Sequence, residues 1–385
     1  MKWRSEIILV ALFLPVLCSI SSVAQRPSPE DAMALEQQGK FPEAAQAWRA
    51  VTARNPNDAA AFASLGIVLS KQQKYSEAAP AYRRALALNP KLPGVALDLG
   101  LAEFKQGHFQ AAAVALRAAL AADPSSTQAR TLLGLSYYGM QRFAEAVKYL
   151  EPSAKSNPGN LELERLLAQS CLWAKNYSCA LEEFRQLLEK SPDSAATHIL
   201  MGEALDGLGR PAEAVAEFEA AAKISPSEPN VHLGLGYLYW KSQQYEEAKK
   251  EFERELALDS ASAQSMAYLG DIEWKNNRPD AALSLLKRAI GVQKNLRIVY
   301  LDLGAIYMQQ KNYLDAQAAL RHAVALDPTL PDAHYQLGRL YQARGDGADA
   351  EKELQKVQEL HKKAEESLVG KIAISPPALN LSEDK

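Results

Sequence analysis

Residues 59–90 read AAAFASLGIVLSKQQKYSEAAPAYRRALALNP, and this stretch decides the fold. Phe62, Leu65, Gly66 and Leu69 fall on one face at the three-and-four spacing of a helix. Gln73-Lys74 makes a turn, Tyr75, Ala78 and Tyr82 line one stripe of a second helix, and Asn89-Pro90 ends it. Proline terminates a helix because it has no amide donor and restrains the residue before it. The same stop returns at Pro56, Pro124, Pro158, Pro192, Pro226 and Pro328.

Working outward, the pattern recurs every 34 residues from 25 to 364, which makes ten units. Alanine holds one place in all ten: Ala44, Ala78, Ala112, Ala146, Ala180, Ala214, Ala248, Ala282, Ala316 and Ala350. Twelve residues before each stands another small residue: Gly in eight units, Ala32 and Ala168 in the other two. Two small side chains facing each other let two helices approach closely, and the period predicts that arrangement in every unit.

Leu65-Gly66, Leu69, Ala78, Tyr82 and Pro90 resemble the signature of the tetratricopeptide repeat, which runs Leu-Gly, Tyr, Ala, aromatic, Pro. The resemblance covers nearly the whole chain after the first residues. It implies an all-α fold, a right-handed α-α superhelix in which the first helices of successive hairpins line a concave groove. Ser260, Lys294 and Lys362 replace the terminal proline, and Pro211, Pro279 and Gly347 open second helices where an aromatic is usual. These departures place irregularity of the stack near residues 255–300. A single hairpin cannot bury its apolar face, so neighbours must stack and the ends must be polar. Residues 351–368 read as a solvated capping helix, and the stretch after Gly370 as a flexible tail.

At 385 residues the length alone suggests two or three globular domains, but a repeat removes that expectation. With 43 basic and 46 acidic residues the net charge is -3, so there is no basic excess of the kind that displaces counterions from nucleic acid. Lys2 and Arg4 precede an apolar run from Ile7 to Leu17 and then small residues to Ala24, the layout of a secretory signal peptide. The expected organisation is therefore a signal peptide at 1–24 cut before Gln25, ten hairpins at 25–364, and the end of the capping helix with the tail at 365–385. The apolar run is shorter than a membrane span and contains Pro15, which disfavours an anchor. Export to a periplasm or to the outside follows as the expected location.

The sequence holds no Gly-rich phosphate loop, no HExxH and no nucleophile elbow, and the repeats occupy the length that a catalytic domain needs. We therefore expect no enzyme activity, no cofactor and no metal. His198, His232 and His334 share one place in their units, where an aromatic packs on the preceding hairpin. Cys171 and Cys179 flank the turn at Lys175-Asn176, which invites a disulfide in an oxidising compartment, or else two small buried thiols.

The second, fifth, ninth and twelfth to thirteenth residues of each unit are free to face the groove. Here they include Leu97, Leu101, Phe104, Leu135, Tyr138, Leu172, Trp173, Tyr237, Trp240 and Trp274. Glu203, Asp206, Asp271 and Asp302 add acidic groups to the same face. Large apolar residues where a soluble helix is normally polar mark an interaction surface, and Trp and Tyr are enriched at binding hot spots. The chain thus reads as an exported scaffold whose partner is a protein, held by an extended or helical peptide with apolar anchors and some basic character. A structural subunit of an envelope or secretion assembly acting by self-association is the alternative, and a regulatory subunit that stacks rings on carbohydrate is a remote one. The Lys and Asn of a carboxylate-holding chaperone groove are missing, since Ala63, Leu97, Thr131 and Leu233 stand where the lysines belong.

Overall fold

A computed structural model of the chain describes residues 27–374, with side chains to residue 365. The expected signal peptide at 1–24 and the tail after Ile374 lie outside the described residues. Within them there are twenty helices and no strand. They form the all-α repeat solenoid that the period implies, and within each of its compact units every hairpin packs on the next. The chain divides into two compact units, residues 1–158 and 159–385.

The first unit contains α1 (Pro29–Gln37), α2 (Phe41–Arg54), α3 (Ala59–Lys71), α4 (Tyr75–Leu88), α5 (Val95–Lys105), α6 (Phe109–Ala122), α7 (Thr127–Gly139) and α8 (Phe143–Ser156). The second begins with α9 (Leu161–Trp173), α10 (Tyr177–Lys190), α11 (Ala195–Gly207), α12 (Pro211–Ile224), α13 (Val231–Lys241) and α14 (Tyr245–Leu258). It continues with α15 (Ala263–Lys275), α16 (Pro279–Val292), α17 (Arg297–Gln309), α18 (Tyr313–Leu326), α19 (Pro331–Arg344) and α20 (Gly347–Ile374).

Each odd helix ends on a residue in the left-handed region at one fixed place in the repeat. Glycine fills it at residues 39, 107, 209 and 345, but Gln73, Gln141, Lys175, Gln243, Asn277 and Lys311 adopt the same backbone with φ between 56° and 61°. Such a conformation costs a non-glycine residue roughly 1–2 kcal/mol. Two closing bonds offset it: the Lys74 amide donates to the Leu69 carbonyl at 2.9 Å and the Gln73 amide to Ser70 at 2.9 Å.

The recurrent glycine approaches the backbone of the recurrent alanine, as Gly202 does at the Ala214 carbonyl, but its nearest neighbour is another residue. It faces the large residue sixteen positions later. A Cβ on Gly66 would stand 2.5 Å from the ring of Tyr82, and one on Gly100 the same 2.5 Å from Leu116, both of them fully buried. The close approach makes room for a bulky core residue of the second helix.

Near residues 255–300 the helices themselves are regular, while the junctions of α14 with α15 and of α16 with α17 are the thinnest between neighbouring hairpins of either unit. There α14 to α17 keep lengths of 14, 13, 14 and 13 residues. Where Ser260 replaces proline, the Ala261 amide donates to Asp259 Oδ1 at 3.0 Å, the same Asx turn that Asn89, Asp123 and Asp327 make beside their prolines, so the turn forms without the ring. Between the terminal hairpins, whose first helices α1 and α19 have nine and fourteen residues, the first helices that depart from thirteen are α5 and α13, each eleven residues long. Elsewhere Asp58, Ser126, Asn160, Ser194 and Ser262 cap a first helix by accepting from the amide three residues on. At the equivalent places stand Leu92 and Glu228, followed by Pro93-Gly94 and Pro229-Asn230. Gly94 at φ 77° and Asn230 at φ 67° become the caps, so both helices start two residues late.

At the C-terminus α20 runs 28 residues to Ile374, four past Gly370 where the sequence suggests a flexible tail. Among the described residues no helix is long and apolar enough to cross a membrane.

Candidate functional site

The late start of α13 and the absence of a side chain at Gly234 open a cavity of about 650 Å³ across α11, α13 and α15. Its floor is Phe218 of α12, whose ring lies 2.1 Å from where a Cβ on Gly234 would be and 2.7 Å from one on Gly202. Leu200, Leu233, Tyr237 and Tyr268 make apolar walls, and Glu203, Asp206 and Glu228 form an acidic rim. Tyr268 is fixed by stacking on the buried Phe252 ring of α14, with centroids 5.2 Å apart and planes 6° off parallel. Burial pushes its phenol up to about 12, so it stays neutral and keeps its O–H as a donor.

Beside the cavity the rings continue into a charged cluster. Tyr237 and Trp240 have centroids 6.1 Å apart, and Trp240 and Tyr268 4.9 Å apart. The Trp240 indole N–H donates to Asp271 Oδ2, and the Lys275 ammonium donates to both oxygens of the same carboxylate. That ammonium also stands 5.2 Å from the Trp240 ring centre and 5.6 Å from that of Tyr245, a cation held on aromatic faces. At the other end Lys241 donates to Asp206 at 2.7 Å, which raises the lysine pKa.

Two acids of this face take part in no such pair. Glu203 is open to solvent, yet the concave walls around it raise its carboxyl pKa through lost hydration. Asp302 of α17 is 6% exposed, and its Oδ2 is buried with no hydrogen-bond partner. Burial holds its pKa well above the usual carboxylate range, the charge of Asp271 adds to this, and Lys275 opposes it.

The residues singled out from sequence divide between the two units. In the first, Phe104 packs on Phe109 with centroids 5.6 Å apart and Tyr138 on Phe143 at 5.8 Å, so both rings close the tops of their own hairpins. Leu101 and Leu135 are half-buried, and Leu97 lines a separate cavity by the α4–α5 connection. In the second, Tyr237, Trp240 and Asp271 come together as described, and Trp173 is 43% exposed on α9. Leu172 is buried instead of groove-facing, because its turn of α9 points into the core. Asp271 is likewise 3% exposed, with its oxygens taken by Trp240 and Lys275, so it acts from beneath the surface and does not meet a ligand directly. Trp240 and Trp274 are half-buried against the core and hold the fold, and neither lines the cavity itself. Sequence reasoning missed Tyr268, Gln264 and Phe218. Tyr268 stands sixth in its unit, a place left out of the groove pattern although Asp302 shares it.

The three equivalent histidines are polar ties and not aromatic packing. Nδ1 of His198, His232 and His334 lies 2.6, 2.7 and 2.6 Å from Glu217, Glu251 and Glu353 on the second helix of the same hairpin. Each Nε2 faces the carbonyl of a stop proline, Pro192, Pro226 or Pro328, at 3.3, 2.9 and 3.3 Å. Cys171 and Cys179 are joined as a disulfide across their turn, with Cα atoms 5.7 Å apart. Among the described residues no three His, Cys, Asp or Glu converge as a metal site.

A family model of the tetratricopeptide repeat matches residues 31–93, 97–160 and 233–295. Two further models of the same repeat match 137–204 with 307–368, and 195–228. No curated protein matches the chain. Among solved structures, a protein described as MamA MSR-1 is 28% identical over 43% of this chain and 96% of its own, with a TM-score of 0.38. YrrB, described as a TPR protein with an unusual peptide-binding site, is 23% identical over 50% of this chain and 99% of its own, with a TM-score of 0.37. The human IFIT1 dimer with m7Gppp-AAAA is 16% identical over 86% of this chain and 80% of its own, with a TM-score of 0.40.

Proposed function

The chain belongs to the tetratricopeptide repeat family, and from that premise we propose that it is an exported scaffold which grips an apolar segment of another protein across α11, α13 and α15. The observation that carries the reading is the 650 Å³ cavity with Leu200, Leu233, Tyr237 and Tyr268 as walls. A concave apolar site with a few polar groups at its rim is what a side chain of a partner fills. Its walls are rigid, since Tyr268 is stacked and Phe218 is wedged between two glycines, so little freedom is lost on binding. The reading gives the chain no reaction of its own and no cofactor. Export is supported by the layout of the first 24 residues and by the Cys171–Cys179 bridge, which an oxidising compartment sustains.

A photo-crosslinking residue placed at Gln264, on the cavity wall, tests this in the native host against one at Leu314, which is 78% exposed on a second helix. Crosslinks should form at 264 and not at 314, and the captured segment, made as a synthetic peptide, should lose about tenfold or more in affinity for the Ala196→Trp variant, whose indole fills the cavity from an exposed position. Equal capture at both sites, or an affinity that Ala196→Trp leaves unchanged, contradicts it.

A further inference from the structure

Among the acids of this face in the second unit, one is both buried and left with an oxygen that has no partner. Asp206 has Lys241 and Asp271 has Lys275, yet Asp302 has a buried Oδ2 without a donor beside the Asp271–Lys275 pair. An acid taken out of water without a partner is costly, and proteins keep such groups where a ligand completes them. The neighbouring lysine shows what the surroundings accept: an ammonium on a carboxylate and over the faces of Trp240 and Tyr245. Lys275 serves Asp271 with both of its bonds and leaves the second carboxyl unserved.

Resting on the groove reading above, we infer that the bound segment carries a lysine or arginine on the C-terminal side of the cavity, and that Asp302 is the group that receives it. The partner chemistry is thus a basic-apolar peptide: a large apolar side chain in the Tyr237–Tyr268 cavity and a cation at α17. From α13 to α17 is two hairpins, about 20 Å at a helix diameter of about 10 Å. An extended chain covers that in about six residues.

The probe is an array of nonapeptides with a leucine pair on an alanine background, a lysine scanned through every position, and the same array with glutamine in place of lysine. The full mature chain should bind the best lysine peptide about tenfold or more tightly than its glutamine twin. Asp302→Asn should abolish that preference and leave the glutamine peptides bound as before. Lys275→Met combined with Asp271→Asn, which removes the ammonium together with the carboxylate it serves, should keep the preference. Lysine and glutamine peptides bound alike by the unaltered chain overturn the inference while the groove reading stands. A preference that survives Asp302→Asn, or that is lost in the Asp271→Asn, Lys275→Met double variant, overturns it as well, and the double variant decides alone if the first does not fold. If neither array binds at all, or if binding persists unchanged in Ala196→Trp, the groove reading falls and the inference with it.

Discussion

The two shortened first helices, α5 and α13, carry the same backbone change and open different cavities. At α5 the cavity is about 800 Å³ and sits by the connection from α4, among Leu86, Leu92, Pro93, Leu97, Ala118 and Ala119. At α13 it is smaller and faces α11 and α15, with tyrosines in its walls and acids at its rim. The sixth residue of the unit separates them. In α5 it is Asp98, half-buried and with its pKa raised by that burial, whereas in α13 it is Gly234 and the groove side is left open. A Pro-Gly or Pro-Asn pair shortens a helix, but a second substitution on the groove face decides whether the space becomes a site.

This contrast can be broken by experiment. The largest effect expected is on the disulfide, which only the second unit contains among the described residues. Cys171→Ala with Cys179→Ala should cost about 2–3 kcal/mol, the low end for so short a loop, and added reductant should shift the melting of the second unit alone. Next, Gly234→Ala should cost the second unit about 2 kcal/mol by pressing a methyl into the Phe218 ring, while Asp98→Ala at the same place in the first unit should be near neutral. Equal costs in denaturant titration would remove the distinction between the two faces.

A pH series sharpens it further. An acid whose folded pKa is raised binds more protons folded than unfolded, so its burden is absent below the unfolded value of about 3.9 and grows as pH climbs toward the folded one. Asp302→Asn should therefore match the unaltered chain in unfolding free energy near pH 3 and exceed it by about 1–2 kcal/mol at pH 7. A constant difference across that range contradicts an unpartnered Asp302. A gain in stability with a loss of lysine preference is the pattern of a group kept for binding. The smallest effects concern the caps. Gly94→Ala should cost about 1 kcal/mol and Asn230→Gly should gain a few tenths, because both positions are left-handed.

Most of the fold is legible in the chain because hairpin packing obeys a 34-residue period that Ala78 and its equivalents announce. The left-handed turn residues were harder to see: six of ten are Gln, Lys or Asn, and the conformation is imposed by closing bonds instead of residue type. The shortened helices are readable in Pro93-Gly94 and Pro229-Asn230, whereas a missing stop proline changes little at Asp259, because the Asx turn forms with or without it. For the site, Tyr237, Trp240 and the acids were visible as groove positions. What periodicity could not give is depth. It cannot say that Asp271 lies under Lys275, that Phe104 and Tyr138 turn back on their own hairpins, or that Gly234 lets Phe218 rise to form a floor.

The central claim is that a partner segment lies in the second unit and not in the cavity of the first. Hydrogen exchange on the full chain, with and without the segment captured at Gln264, tests it most directly. The account predicts slowed exchange in α11, α13 and α15 on binding, with residues 91–105 unchanged; slowed exchange at 91–105, or none in α13, would contradict it.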